Sequence, residues 1–214
     1  MKVLSAMLLG LGCLCVAGGC QTRTRLVSAP PAPYFGPRLA AVPAKVAAPR
    51  ASASPVRQVG WSDPGWDVGG PQRAWQFIVV HHSGTPTGSA LQFDQWHRMK
   101  GWDELGYHFV IGNGTGSGDG EVEVGGRWTK QKHGAHCKVA GHPEYNDVGI
   151  GICLVGDLNG ARPTPAQMAS LARLVRWLAQ RYSVPRNRIY GHGQLKATEC
   201  PGRFFDYADL FGRL

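Results

Sequence analysis

Apolar and polar positions between residues 75 and 214 follow two periods, one typical of strands and one typical of helices. Short apolar, β-branched runs predict five strands, at 77–80, 107–111, 121–124, 148–155 and 188–190. Apolar residues at helical spacing predict helices over 89–100, 164–182 and 205–211. Because strands and helices interleave, the pattern predicts a single α/β domain in which helices cover a central β-sheet.

Two of the predicted helices have informative details. Thr164 and Pro165 supply a capping hydroxyl and a proline at the first helical position. One face of that helix is apolar and predicts core residues: Met168, Leu171, Leu174, Val175 and Leu178. The helix over 89–100 carries Leu91, Trp96 and Met99 near helical spacing.

The glycine-rich stretch 112–120 lacks the Gly-Lys-Ser/Thr ending of a phosphate-binding loop, and we interpret it as a turn.

The first 70 residues have a different composition. Residues 1–19 contain an early lysine, an apolar run too short to span a membrane comfortably, and small residues directly before Cys20. This layout predicts a signal peptide, and its end resembles a bacterial lipobox, which implies that Cys20 is lipidated. An ordinary cleaved signal peptide is the alternative. Residues 20–70 are rich in Pro, Ala and Ser without periodicity, which predicts a flexible tether. We therefore expect an exported, lipid-anchored protein of the cell envelope, facing the periplasm and held by the outer membrane if the cell has two.

The formal net charge of +9 belongs mainly to this tether. Seven of the 23 basic residues precede Asp63, where no acidic residue occurs, and 16 basic and 14 acidic residues remain. A nearly neutral domain excludes a nucleic-acid-binding face and favours loose attraction of the tether to anionic lipid or wall polymer.

Three places in the predicted domain combine residues that bind metals. His81 and His82 end the first strand, His192 follows the last strand, and Cys200 lies in the loop beyond. Two imidazoles and one thiolate are a ligand set that leaves the fourth position of zinc open for water, as catalytic sites require. From the spacing alone, surface or core histidines remain the favoured alternative.

Five ordered motifs make the assignment specific. They are Val79-Val80-His81-His82-Ser83, the stretch 101–109, Gly134-Ala135-His136, the stretch 150–156, and Gly191-His192 through Pro201-Gly202. Together they resemble the zinc amidase family that includes phage lysozyme-type amidases and animal peptidoglycan recognition proteins. The resemblance covers residues 75–211 and implies a zinc amidase domain over 71–214, with a mixed central β-sheet flanked by helices.

The resemblance also implies roles for individual residues. It makes His81, His192 and Cys200 the ligands of one Zn²⁺, and it selects His81 over His82 because the ligand follows the aliphatic pair directly. Tyr107 and Thr198 match the positions that assist catalysis. His136, Asn146 and Trp102 match positions on the substrate groove, with ordinary polar surface or packing as the alternative.

The implied reaction is zinc-assisted hydrolysis of the amide bond between N-acetylmuramic acid and L-alanine in peptidoglycan, by a monomer. The main alternative is a non-catalytic peptidoglycan-binding protein, but inactive recognition proteins of the family typically lack the cysteine that this chain has as Cys200. A zinc peptidase is disfavoured because no His-Glu-x-x-His helix occurs. Cys153 lies in an apolar strand and is expected to be a small buried residue. A disulfide between Cys137 and Cys153 is left open.

Overall fold

The computed structural model describes residues 65–214 of the chain. The predicted signal peptide, Cys20 and nearly all of the predicted tether lie outside the described residues. The packed part begins earlier than residue 71, because the side chain of Trp66 is buried and its carbonyl accepts the indole N–H of Trp128 at 2.7 Å. Asp67 forms an ion pair with Arg181 at 2.7 Å. These contacts attach Trp66 and Asp67 to the domain, although both lie in the range predicted as tether.

One mixed sheet forms the centre of the domain. Its strands are β1 (Phe77–His82), β2 (Phe109–Ile111), β3 (Val122–Val124), β4 (Gly149–Leu154) and β5 (Ile189–Gly191). The order is β3-β2-β4-β1-β5. β1 runs parallel to β4 and β5, β2 runs parallel to β4, and β3 is antiparallel to β2. The predicted α/β fold with a mixed central sheet is confirmed, and the five strands are displaced from the predicted ranges by no more than two residues.

Within residues 65–214, five α-helices accompany the sheet. They are α1 (Ala90–Met99), α2 (Gly126–Thr129), α3 (Glu144–Asp147), α4 (Pro165–Tyr182) and α5 (Tyr207–Gly212). The apolar face predicted for α4 is confirmed, since all five of its residues are buried in the main core with Ile78, Ile150 and Ile152. Thr164 caps this helix as predicted, accepting the Gln167 N–H at 3.0 Å. Among residues 65–214, no helix combines the length and the hydropathy needed to cross a membrane.

The opposite face of the sheet carries a smaller apolar cluster beneath α1. Phe93 of α1 packs there with Val110, Cys153 and Val155. Of the three apolar positions predicted for α1, Trp96 packs against this cluster, whereas Leu91 and Met99 are 68% and 76% exposed. The helices α2 and α3 were not predicted, since four residues are too few to show a helical period.

Candidate metal centre

His81 lies near the carboxyl end of strand β1, between β4 and β5, and is 1% exposed. It stands beside Cys153 in the register of β1 and β4. The next residue, His82, has its side chain on the other side of the strand, as strand geometry requires. The Nδ1 atom of His82 accepts the Leu158 N–H at 3.0 Å, and its own backbone N–H donates to Cys200 Sγ at 3.4 Å.

His192 reaches the same edge of the sheet because it follows β5, which runs parallel to β1. The chain then returns through a loop that brings Cys200 over this edge. The Gly193 N–H donates to the Cys200 carbonyl at 2.6 Å and closes the loop. A side chain at Gly193 would lie 2.8 Å from the carbonyl oxygens of Thr198 and Cys200, which explains the glycine.

The three predicted ligand residues converge. One side-chain atom from each of His81, His192 and Cys200 lies within 4.8 Å of the other two. His81 Nδ1 is 3.6 Å from Cys200 Sγ. In a tetrahedral zinc site, bonds of ~2.3 Å to sulfur and ~2.0 Å to nitrogen place those two atoms about 3.5 Å apart. His192 Nε2 is buried and has no hydrogen-bond partner within residues 65–214. A buried nitrogen without a partner is costly, and a metal ion would satisfy it. The donor set therefore fits zinc.

Burial sets the protonation of these ligands. Burial, followed by the nearby His136, His192 and His82, lowers the pKa of His81 well below 6.5. Burial and Lys196 lower the pKa of His192. Both imidazoles are therefore neutral near pH 7, the form that binds metals. Burial raises the pKa of the Cys200 thiol to about 11, so zinc binding at neutral pH would release the thiol proton.

Tyr107 and Thr198, the predicted catalytic residues, flank the three ligands. The rings of Tyr107 and His81 are 5.3 Å apart between centroids. Burial, with a smaller contribution from the thiols of Cys153 and Cys200, raises the pKa of Tyr107 well above 10. Its hydroxyl is therefore protonated at neutral pH and lies within hydrogen-bonding reach of Cys153. Thr198 is exposed, and its hydroxyl oxygen accepts the Cys200 N–H at 3.3 Å. Its hydroxyl hydrogen is then directed away from that bond.

Trp102 lies at the surface on the Tyr107 side of the site. It is 41% exposed, and its ring packs on His97 of α1 with a centroid distance of 4.4 Å. His97 in turn lies 5.7 Å from the ring of Tyr107. His97 Nδ1 accepts the Gly106 N–H at 3.0 Å and thereby fixes the loop that leads to Tyr107. Sequence analysis missed His97, because a lone histidine on a helix carries no spacing motif.

His136 and Asn146 are adjacent, and protein atoms occupy much of their hydrogen-bonding capacity. Asn146 Oδ1 accepts the backbone N–H groups of His136 and Cys137, each at 2.9 Å. His136 is 8% exposed, and its Nδ1 lies 3.0 Å from His81 Nε2. Its Nε2 donates to the Gly149 carbonyl at 3.2 Å. Burial, partly offset by the Gly149 carbonyl, lowers the pKa of His136 to about 4. Substrate contact by these two residues stays a prediction.

Cys137 and Cys153 are both buried and unpaired. The disulfide that the sequence left open is therefore not formed in this structure, and the expectation that Cys153 is buried is confirmed. Burial raises the pKa of the Cys137 thiol to about 11.

Two open pockets adjoin the site. One, of about 470 Å³, is lined by Thr198, Cys200, Glu199, Arg203 and Tyr207 among others. The second, of about 490 Å³, includes Gly134, Cys137, Lys138, His142 and Asn146. Both are large enough for part of an extended substrate.

Residues 71–203, more than half of the chain, match the profile of the family described as N-acetylmuramoyl-L-alanine amidase. The endolysin of Escherichia phage T7 is 35% identical over 132 residues, which are 58% of this chain and 78% of that protein. Peptidoglycan-recognition protein LB of Drosophila melanogaster is 32% identical over 138 residues. That alignment covers 59% of this chain and 54% of the relative, so the chain spans about half of that protein.

Solved structures agree. The endolysin N-acetylmuramoyl-L-alanine amidase LysCS from Clostridium intestinale superposes with a TM-score of 0.56 at 29% identity, covering 65% of this chain and 83% of that one. The complex of peptidoglycan recognition proteins LCa and LCx with tracheal cytotoxin gives a TM-score of 0.51 at 28% identity. That match covers 63% of this chain and 80% of the solved chain.

Proposed function

Because the chain belongs to the N-acetylmuramoyl-L-alanine amidase family, we propose that it uses one zinc ion to hydrolyse the amide bond between N-acetylmuramic acid and L-alanine in peptidoglycan. The observation that carries this proposal is the convergence of His81, His192 and Cys200, with the buried His192 Nε2 lacking a protein partner. Three protein ligands leave one position for water or substrate, which distinguishes catalytic from structural zinc sites.

Zinc in this site would act as a Lewis acid, polarising the scissile carbonyl and lowering the pKa of a water molecule towards 7. His81 and His192 are neutral at that pH and would hold the ion through unprotonated nitrogens. The Cys200 thiolate would reduce the charge of the centre and is the softest of its ligands. The backbone N–H of His82, 3.4 Å from Cys200 Sγ, supports the charged form of this sulfur.

Tyr107 and Thr198 supply the hydrogen bonds that the developing oxyanion needs. The hydroxyl of Tyr107 remains protonated because its surroundings raise its pKa, and it donates without giving up its proton. Thr198 accepts the Cys200 N–H and can donate its own hydrogen to the same oxyanion. Donors held in place before the reaction stabilise the transition state more than the ground state.

A recognition protein without activity is the second candidate, since the chain is also similar to peptidoglycan-recognition proteins, one of them solved with tracheal cytotoxin. Both candidates share peptidoglycan as the ligand and differ in whether the amide is cut. The complete ligand set, together with two donors beside it, supports the enzyme. We propose that the protein acts as a monomer in the cell envelope.

The test is digestion of purified peptidoglycan by the full chain, with zinc content measured in the same preparation. We expect one zinc per chain and free stem peptides that begin with L-alanine, identified by mass spectrometry. Cleavage within the stem would instead release peptide fragments and indicate a peptidase. Tight binding of peptidoglycan with no released peptide would indicate the recognition protein.

Cys200→Ser is the matched control for this experiment. A serine hydroxyl stays protonated near neutral pH and is a poor zinc ligand. We expect zinc and activity to be lost while the far-ultraviolet circular dichroism is unchanged, because the core lies in the sheet and α4. Binding to insoluble peptidoglycan should persist. Normal cleavage by Cys200→Ser would refute the proposed zinc chemistry.

A further inference from the structure

His136 is hydrogen-bonded through both ring nitrogens, and its two partners determine where its hydrogen lies. The Gly149 carbonyl can only accept, so the hydrogen of a neutral His136 ring is on Nε2, 3.2 Å from that oxygen. His136 Nδ1 is then an acceptor. His81 Nε2, 3.0 Å away, must therefore be the donor of the bond between the two rings.

This bond also determines which atom of His81 is available to a metal. A neutral imidazole carries one hydrogen, and Nε2 of His81 uses it to donate to His136. His81 Nδ1 consequently has a free lone pair, and it is this atom that lies 3.6 Å from Cys200 Sγ. The chain of hydrogen bonds from the Gly149 carbonyl through His136 to His81 thus fixes the tautomer of His81. It leaves the nitrogen without a hydrogen on the side where His192 and Cys200 converge.

The surrounding backbone is shaped to hold the His136 ring in this position. A Cβ atom added to Gly151 would lie 2.4 Å from His136 Cδ2, and one added to Gly134 would lie at the same distance from the same atom. The ring therefore lies closely against two glycines on different segments. Asn146 fixes the backbone of His136 from a third segment, accepting its N–H at 2.9 Å.

We infer that His136 is a positioning residue that holds His81 in the tautomer and orientation required for zinc binding. It acts through His81 and is not itself a ligand. This inference rests on the proposed function, because it assumes that the site binds zinc. Outer hydrogen-bond partners of metal-ligating histidines commonly contribute a factor of about 10–100 in metal affinity. The usual partners are carboxylates, carbonyls and waters. Here a second histidine stands between the ligand and the carbonyl.

Two substitutions whose new side chains are similar in shape separate the effect of the hydrogen bond from the effect of packing. His136→Asn places an amide oxygen near the position of Nδ1 and keeps an acceptor for His81. His136→Leu has the same shape without an acceptor. We expect His136→Leu in the full chain to weaken zinc binding about 10–100-fold in competition with a chromophoric chelator. We expect His136→Asn to remain near the wild-type affinity.

Cobalt(II) substitution supplies a readout that a purely structural role would not change. The thiolate-to-cobalt charge-transfer band and the visible bands report the geometry of the ligands. We expect both to be altered in His136→Leu and close to wild type in His136→Asn. Gly151→Ala displaces the intact ring, and we expect it to weaken zinc binding although every polar atom is retained.

The possible failures are distinct. If wild-type protein binds no zinc, the proposed function and this inference both fail. If wild-type protein binds zinc and His136→Leu matches it in affinity and cobalt spectrum, only the inference fails. Equal losses in His136→Leu and His136→Asn would also overturn it, since the acceptor would then be irrelevant. Should His136→Leu fail to fold, unchanged zinc affinity in Gly151→Ala would overturn it.

Discussion

Tyr107→Phe tests the proposed mechanism most directly, because it deletes one hydroxyl and keeps the ring. The ring packs among three histidines, with centroid distances of 5.3 Å to His81, 5.7 Å to His97 and 6.5 Å to His136. Phenylalanine preserves these contacts, so the ligands should stay in place. The hydroxyl lies in surroundings that raise its pKa well above 10, and its loss removes a donor that is protonated at every working pH.

The size of the effect follows from how well water can replace each donor. Tyr107 is half-buried, whereas Thr198 is exposed. Loss of a shielded oxyanion donor lowers kcat by about 10²–10³, or ~3–4 kcal/mol. Thr198→Ala leaves a position that solvent can reach, and we expect a loss nearer the net value of one hydrogen bond, about 1 kcal/mol or roughly five- to tenfold. Both variants should keep their zinc and change KM little, because the contacts strengthen mainly in the transition state.

The assay is steady-state release of peptide from a purified muropeptide, with zinc content and thermal unfolding measured for each variant. A wild-type kcat in Tyr107→Phe would refute the role assigned to its hydroxyl. A larger loss in Thr198→Ala than in Tyr107→Phe would show that the ranking by exposure is wrong. Loss of zinc from Tyr107→Phe would mean that the hydroxyl supports the ligands instead of the oxyanion.

Three further predictions concern the metal, the pH and the membrane. His81→Ala should lose zinc and activity whereas His82→Ala should keep most of its zinc, and equal losses by elemental analysis would show that the choice between them is wrong. Burial lowers the pKa of His108 well below 6.5, so the unfolded state binds more protons below that pH and the stability of the metal-free protein falls on acidification. His108→Gln should reduce this slope in urea unfolding by up to ~1.4 kcal/mol per pH unit, and an unchanged slope would contradict the assignment. Cys20→Ala should move the protein from the membrane fraction to a soluble or unprocessed form, and normal processing with unchanged fractionation would count against the lipid anchor.

Several features were determined by local sequence. The sequence of α4 begins with a capping threonine and a proline, and it has an apolar face at helical spacing. This helix is therefore predictable without its neighbours. The strands β1 and β4 are likewise continuous apolar runs that only a sheet covered on both faces can bury. The predicted ligands His81, His192 and Cys200, which the fold brings together, came from ordered motifs, and strand alternation separates His81 from His82.

Other features depend on contacts between distant segments, which no local pattern records. Trp66 joins the core through Trp128, although the surrounding composition resembles a tether. Leu91 and Met99 are exposed whereas Phe93 of the same helix is buried, because spacing does not state which side of a helix meets its neighbours.

The environment of His136 was decided by tertiary structure alone. Its motif marked it as a substrate-groove residue. His136 is 55 residues after His81 in the sequence, but the fold brings its Nδ1 to 3.0 Å from His81 Nε2. Of the two glycines that make room for it, Gly134 precedes it by two residues and Gly151 lies on β4. Sequence therefore predicted which residues would carry the chemistry. The fold determined which nitrogen of His81 is left free, since that depends on the hydrogen bond to His136, a partner that only folding brings near.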